Sequence, residues 1–157
     1  MDLGGPRQGR RITVVNDNPE FLDLMRDILA NERYRVTAIN GEQIESIDPV
    51  RASDPELLFI DLRLRHERIT GWEIALEVRK DEHLRHVPVI LCTGAADEVR
   101  ERAEDLAALP NVEVLVKPFH LEELEALLDR YLPNAAPESP ALQSVPGVPE
   151  LSSEPNA

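Results

Sequence analysis

The sequence predicts an α/β protein: a doubly wound sheet of five parallel strands, covered by five helices through right-handed crossovers. Two observations carry that reading. Short β-branched or apolar runs recur along the chain, each followed by a stretch with helical apolar spacing. Two of the runs, Leu57-Leu58-Phe59-Ile60 and Val89-Ile90-Leu91-Cys92, are apolar throughout, as strands buried on both faces must be.

Arg11-Ile12-Thr13-Val14-Val15 is the first strand, stopped by Asn16-Asp17-Asn18-Pro19. Pro19-Glu20 open a helix whose Phe21, Leu22, Leu24, Met25, Ile28 and Leu29 recur at helical spacing. Tyr34 to Ile39 alternates as a half-buried edge strand, closed by Asn40-Gly41. Between 42 and 54 the pattern gives only a short helix around Gln43 to Ile47, broken near Pro49. The strand at 57–60 ends on Asp61 and enters a polar loop, Arg65-His66-Glu67-Arg68-Ile69-Thr70-Gly71. A helix from Trp72 to about Glu82 follows, then the strand Pro88 to Thr93, closed by Gly94. Ala96 to Leu109 reads as one densely charged helix with a narrow apolar stripe. Val112 to Val116 is the fifth strand, and Leu121 to Leu132 the last helix.

Residues 1–10 hold three glycines and a proline and are expected to be a loose lead-in. From Pro133 to Ala157 the composition turns to Pro, Ser, Ala, Asn and Glu, without the periodicity of a packed element, which predicts a disordered tail. The folded domain therefore spans 11–132.

With 17 Lys and Arg against 30 Asp and Glu, the formal net charge of −13 argues against nucleic acid as a direct partner. No apolar stretch approaches the ~20 residues of a membrane span, and nothing resembles a signal peptide. The single cysteine, Cys92, excludes an internal disulfide and reads as a small buried hydrophobe. A cytoplasmic location is the expectation.

Open parallel sheets place their reactive crevice outside the carboxyl ends of the strands. Strand one brings Asn16 and Asp17 there, strand three Asp61, strand four Thr93, and strand five Lys117. Singly, each has a bland reading: a capping Asp or Thr, a surface lysine. Jointly, two carboxylates suit a hard divalent cation, while a hydroxyl and an ammonium suit phosphoryl oxygens. No Gly-rich phosphate loop points to a nucleotide.

Four blocks carry a family resemblance: Val14 to Glu20, Phe59 to Leu64, Val89 to Gly94, and Val116-Lys117-Pro118-Phe119. Together they resemble the receiver domains of two-component response regulators, from about Arg11 to Leu132. The resemblance implies a flavodoxin-like strand order, 2-1-3-4-5. It implies a stand-alone response regulator in which Asp61 accepts a phosphoryl group from a sensor histidine kinase or phosphotransfer protein. It also implies Mg²⁺ held by Asp17, Asp61 and the backbone carbonyl of Arg63, with Thr93 and Lys117 on the phosphoryl oxygens and a cis Lys117-Pro118 bond. An unidentified downstream protein, and a homodimer through the fourth helix, fifth strand and last helix, are the implied partners.

Three positions depart from the family pattern. Asn16 stands where an acid usually holds the metal through water, which should weaken Mg²⁺. The loop after Asp61 is longer than usual, and Val114 replaces an aromatic switch residue. These departures keep a second reading open, a phosphorylation-independent pseudo-receiver that binds protein. A third, an Mg²⁺-dependent phosphohydrolase with Asp61 as nucleophile, would want a general acid at position 63, where Arg63 stands.

Overall fold

The computed structural model describes residues 9–62, 70–94 and 96–132. Five strands, β1 (Arg11–Asn16), β2 (Arg35–Asn40), β3 (Leu57–Asp61), β4 (Val89–Thr93) and β5 (Val112–Val116), form one sheet. All pairings are parallel, in the order β2-β1-β3-β4-β5. Period-two alternation splits the core between the two faces. Leu58, Ile60, Val89 and Leu91 face one core; Leu57, Phe59, Ile90 and Cys92 face the other. Every residue of β3 and β4 is buried, which is why these strands read as unbroken apolar runs. β2, half exposed, is the edge strand its alternation predicts.

Helices α1 (Pro19–Asn31) and α6 (Leu121–Tyr131) cover the second face through Leu22, Met25, Leu29, Leu124, Leu127 and Leu128. Helices α2 (Asp48–Ser53) and α3 (Gly71–Lys80) cover the first, through Val50, Ile74, Ala75 and Val78. The start of α1 follows from its sequence. The Asn18 side chain accepts from the Glu20 and Phe21 amides, and Pro19 stands in the first turn, where its missing N–H costs nothing.

Two helical expectations need correction. The segment 42–54 forms a 3₁₀ turn at Gly41–Gln43 and then α2 from Asp48, so the helix lies after Ile47. Pro49 opens that helix instead of breaking it, because proline is tolerated in a first turn. The single helix expected from Ala96 to Leu109 is two, α4 (Ala96–Glu101) and α5 (Ala103–Ala108), making six α-helices among the described residues. They divide at Arg102, whose guanidinium stacks 4.8 Å from the centroid of the Trp72 ring. No described side chain of α4 or α5 is buried, so little core packing holds them in one straight rod. Helix α3 starts at Gly71, one residue before the expected Trp72. Thr70 and Glu73 form a reciprocal capping box there.

Asp81 ties the first face together beyond α3. Its Oδ2 accepts from the His83 and Leu84 amides, and its Oδ1 accepts from Arg51 Nε and Nη2 at 3.0 and 2.5 Å. The bond from Arg51 holds the Asp81 carboxyl below the ordinary aspartate value. A depressed carboxyl stabilises the fold above its unfolded pKa, and that contribution is lost as pH falls through the folded one. Asp81→Asn should therefore lower the urea midpoint at pH 7. The gap to the parent protein should close as pH falls below 3.8, as read by denaturation series at several pH values.

Candidate functional site at the strand ends

The parallel register brings the chemistry together. Asp61 ends β3 opposite Cys92 of β4, and Thr93 lies one residue further, opposite Val116 of β5. The Leu62 amide donates to the Cys92 carbonyl at 2.9 Å, and the Lys117 amide to the Thr93 carbonyl at 2.7 Å. Backbone bonds, not loop conformations, thus set the spacing of Asp61, Thr93 and Lys117. Asp17 follows β1, whose Val15 pairs with Ile60.

Asp17 and Asp61 are each only 8% exposed, and Asn16 and Thr93 are buried completely. The Lys117 ammonium stands 3.7 Å from Asp61 Oδ2, an ion pair longer than a hydrogen bond. It also lies 4.9 Å from the centroid of the Phe21 ring, which is packed edge-on against Phe119. Phe21 therefore packs against the same ammonium that pairs with Asp61. Sequence reading assigned Phe21 only to a helix face; its place in the first turn of α1, directly after the β1 acid, was the available signal. The Lys117–Pro118 peptide is cis, as the resemblance implies.

Asn16 behaves differently from an acid. Its Oδ1 accepts from the Asn18 amide at 2.8 Å, while Nδ2 has no hydrogen-bond partner among the described residues. Val114 is half-buried against the first core. Arg63, whose carbonyl completes the expected metal set, and His66 lie outside the described residues. Among the described residues no group of three or more His, Cys, Asp or Glu is placed to hold a metal. Two buried carboxylates still suit Mg²⁺, which keeps several waters and commonly takes one or two carboxylates from a protein. The donor set fits that ion. Beside it, burial pushes the Cys92 thiol up to about 12, with Lys117 opposing and Asp61 reinforcing, so this cysteine is no nucleophile.

A second residue the sequence reading passed over is Gly71. A Cβ there would stand 1.9 Å from the Asp61 carbonyl oxygen and 2.9 Å from the Leu62 Cα. The start of α3 presses on the backbone that carries Asp61.

A parallel α/β sheet with acids, a hydroxyl and an ammonium gathered at its strand ends belongs to the class of open α/β proteins whose ligand crevice lies at that edge. Comparison with known proteins narrows the class. The family model described as the response regulator receiver domain matches residues 12–129, and the chain belongs to that family, a signalling domain of two-component systems. It is 33% identical over 117 residues to the hybrid signal transduction histidine kinase D of Dictyostelium discoideum; the match covers 73% of this chain and 7% of that protein. It is 30% identical over 122 residues to the polar-differentiation response regulator DivK of Brucella ovis, covering 76% of this chain and 96% of DivK. Among solved structures, the receiver domain of sensor histidine kinase PA1611 from Pseudomonas aeruginosa is similar at a TM-score of 0.63 and 29% identity. That match covers 79% of this chain and 98% of the other, and the PA1611 domain has a magnesium ion coordinated in its active-site cleft. Among the described residues of this chain, no helix is long and apolar enough to cross a membrane.

Gly71→Ala should cost at least the upper part of the ~1–3 kcal/mol typical of overpacking, because the obstructing atoms are backbone. A urea titration of the variant would read that loss, and a stability within error of the parent would contradict the close approach.

Proposed function

We propose that the protein is a phosphorylation-driven switch in which Asp61 is the phospho-acceptor. The observation that carries this is the Lys117 ammonium held 3.7 Å from Asp61, with Thr93 buried at the next strand end. A carboxylate oxygen of Asp61 attacks phosphorus on a phosphohistidine of a sensor kinase or phosphotransfer protein. The new P–O bond makes an acyl phosphate, and the P–N electron pair leaves on the imidazole, which takes up a proton. Lys117 pairs with the phosphoryl oxygens and Thr93 donates a hydrogen bond to them. Asp17 and Asp61, with the Arg63 carbonyl, would hold Mg²⁺; when bound, it supplies neutralising charge to the phosphoryl oxygens. The doubly negative product shifts the protein between two conformations and so changes its affinity for a downstream protein. We read the unit as cytoplasmic and folded over 11–132, with the face formed by α4, α5, β5 and α6 as the dimer surface.

Incubation with a small-molecule phosphodonor and Mg²⁺, followed by intact-mass measurement, should show one phosphoryl addition. The addition should vanish without Mg²⁺ and in Asp61→Asn. No addition in protein shown to be folded would instead favour a phosphorylation-independent binding module. The neutral Asn16, whose Nδ2 has no hydrogen-bond partner among the described residues, is the feature that favours that second reading. Asn16→Asp restores a charge that would act on the ion through water, and should tighten Mg²⁺ binding on the order of tenfold by calorimetry.

A further inference from the structure

Among the described residues, the Lys117 ammonium meets two partners of different kinds. Asp61 Oδ2 stands 3.7 Å away, and the face of the Phe21 ring lies with its centroid at 4.9 Å. The first contact is too long for a hydrogen bond, and the lysine side chain keeps 29% of its surface exposed. A lysine carries its charge on a flexible four-carbon stem and hydrates strongly. Coulomb attraction falls off slowly and has no preferred direction, so Asp61 draws the ammonium near without fixing where it sits.

An aromatic face can fix it, because its attraction acts only within about 6 Å of the centroid and only over the ring. Phe21 is itself held for that purpose. The Asn18 side chain accepts from its amide at 3.3 Å, so the turn leaving the β1 acid sets its backbone. Its ring meets Phe119 with planes at 88° and centroids 6.4 Å apart, and Phe119 lies two residues after Lys117. Both rings are half-buried against the second core. The start of α1 and the segment after β5 thus meet around the lysine.

We propose that Phe21 is a positioning residue for Lys117: its ring holds the ammonium beside Asp61, ready for an arriving phosphoryl group, and keeps the flexible stem from swinging into solvent. A cation already in place needs no reorganisation as charge develops on the phosphoryl oxygens. A leucine would fill much of the same space but offers no π-face. Only the effect on rate rests on the proposed function; the hold on the lysine does not.

The test replaces the Phe21 ring, in the full chain, by mono-, di- and trifluorinated phenylalanine. Fluorine drains charge from the π-face with little change in ring size. With a small-molecule phosphodonor and Mg²⁺, the initial rate of phosphoryl addition should fall stepwise along the series, by about fivefold in all. Phe21→Leu should lose as much, while Phe21→Tyr should keep the parent rate. Phe21 also lines the apolar groove between α1 and α6, and a small donor has no need of that groove, so the rates report positioning and not docking. A second readout needs no phosphorylation. By proton NMR the Lys117 Hε signals should lie upfield in the parent and in Phe21→Tyr, under the ring current, and return to ordinary lysine positions in Phe21→Leu. Ordinary Hε positions in the parent would overturn the proposal. So would rates that stay flat or rise with fluorination, which would make the ring mere packing or a restraint. A parent that accepts no phosphoryl group would sink the proposed function instead, and the Hε signals alone would then decide whether Phe21 holds Lys117.

Discussion

Two carboxylates buried at neighbouring strand ends are the costly feature around which the rest of this structure is arranged. Asp17 and Asp61 are each only 8% exposed there, and burying a carboxylate is costly unless it is paired. Lys117 offsets part of this across 3.7 Å, held against Phe21 so that its ammonium stays beside Asp61. Asn16 bears on the same balance. A third acid would add repulsion to an already negative corner; an amide of similar shape does not. Its oxygen is engaged by the Asn18 amide, so the residue still shapes the turn into α1. The same substitution removes charge that a cation would use. Local stability and metal affinity therefore pull in opposite directions at one position.

The sheet supplies the precision that this corner needs. Because β3, β4 and β5 are parallel and in fixed register, Asp61, Thr93 and Lys117 emerge at successive levels of one edge. The bond from the Lys117 amide to the Thr93 carbonyl extends the β4–β5 ladder up to the lysine itself. On the opposite side Gly71 lets α3 abut the Asp61 backbone without a Cβ between them. The carboxylate is thus fixed by main chain on both sides.

Much of this was legible in the sequence, for a physical reason. Strands buried on both faces have to be apolar throughout, and their polar ends then stand out, so β3 and β4 announced both themselves and Asp61 and Thr93. What was not legible depends on contacts distant in sequence. Nothing local says that Arg102 finds the Trp72 ring and that the charged helix divides there. Nor does composition reveal that a glycine ten positions after Asp61 must touch the Asp61 carbonyl. The α2 boundary failed differently. Pro49 breaks a helix that reaches it from Gln43, yet Asp48-Pro49 is also an acceptable first turn, and the burial of Val50 decides between them. The capping box Thr70–Glu73 was in the sequence and would have placed the start of α3 correctly.

With Val114 in place of an aromatic residue, any movement that begins at Thr93 has to travel by another route. The weakest-anchored part of the described fold is the α4–α5 segment, which leaves β4 directly after Thr93 and buries none of its described side chains. Segments with few buried contacts open at the lowest free-energy cost, so they respond first to a local change in charge. Leu106, packed against the first core, and the Arg102–Trp72 stack hold this one, and Trp72 sits one residue after Gly71, the residue pressed against Asp61. A charge added at Asp61 therefore has two physical connections to the same segment, through Thr93 at the end of β4 and through Gly71–Trp72 at the start of α3. In this chain the Arg102–Trp72 stack, not an aromatic side chain on β5, joins this segment to the start of α3.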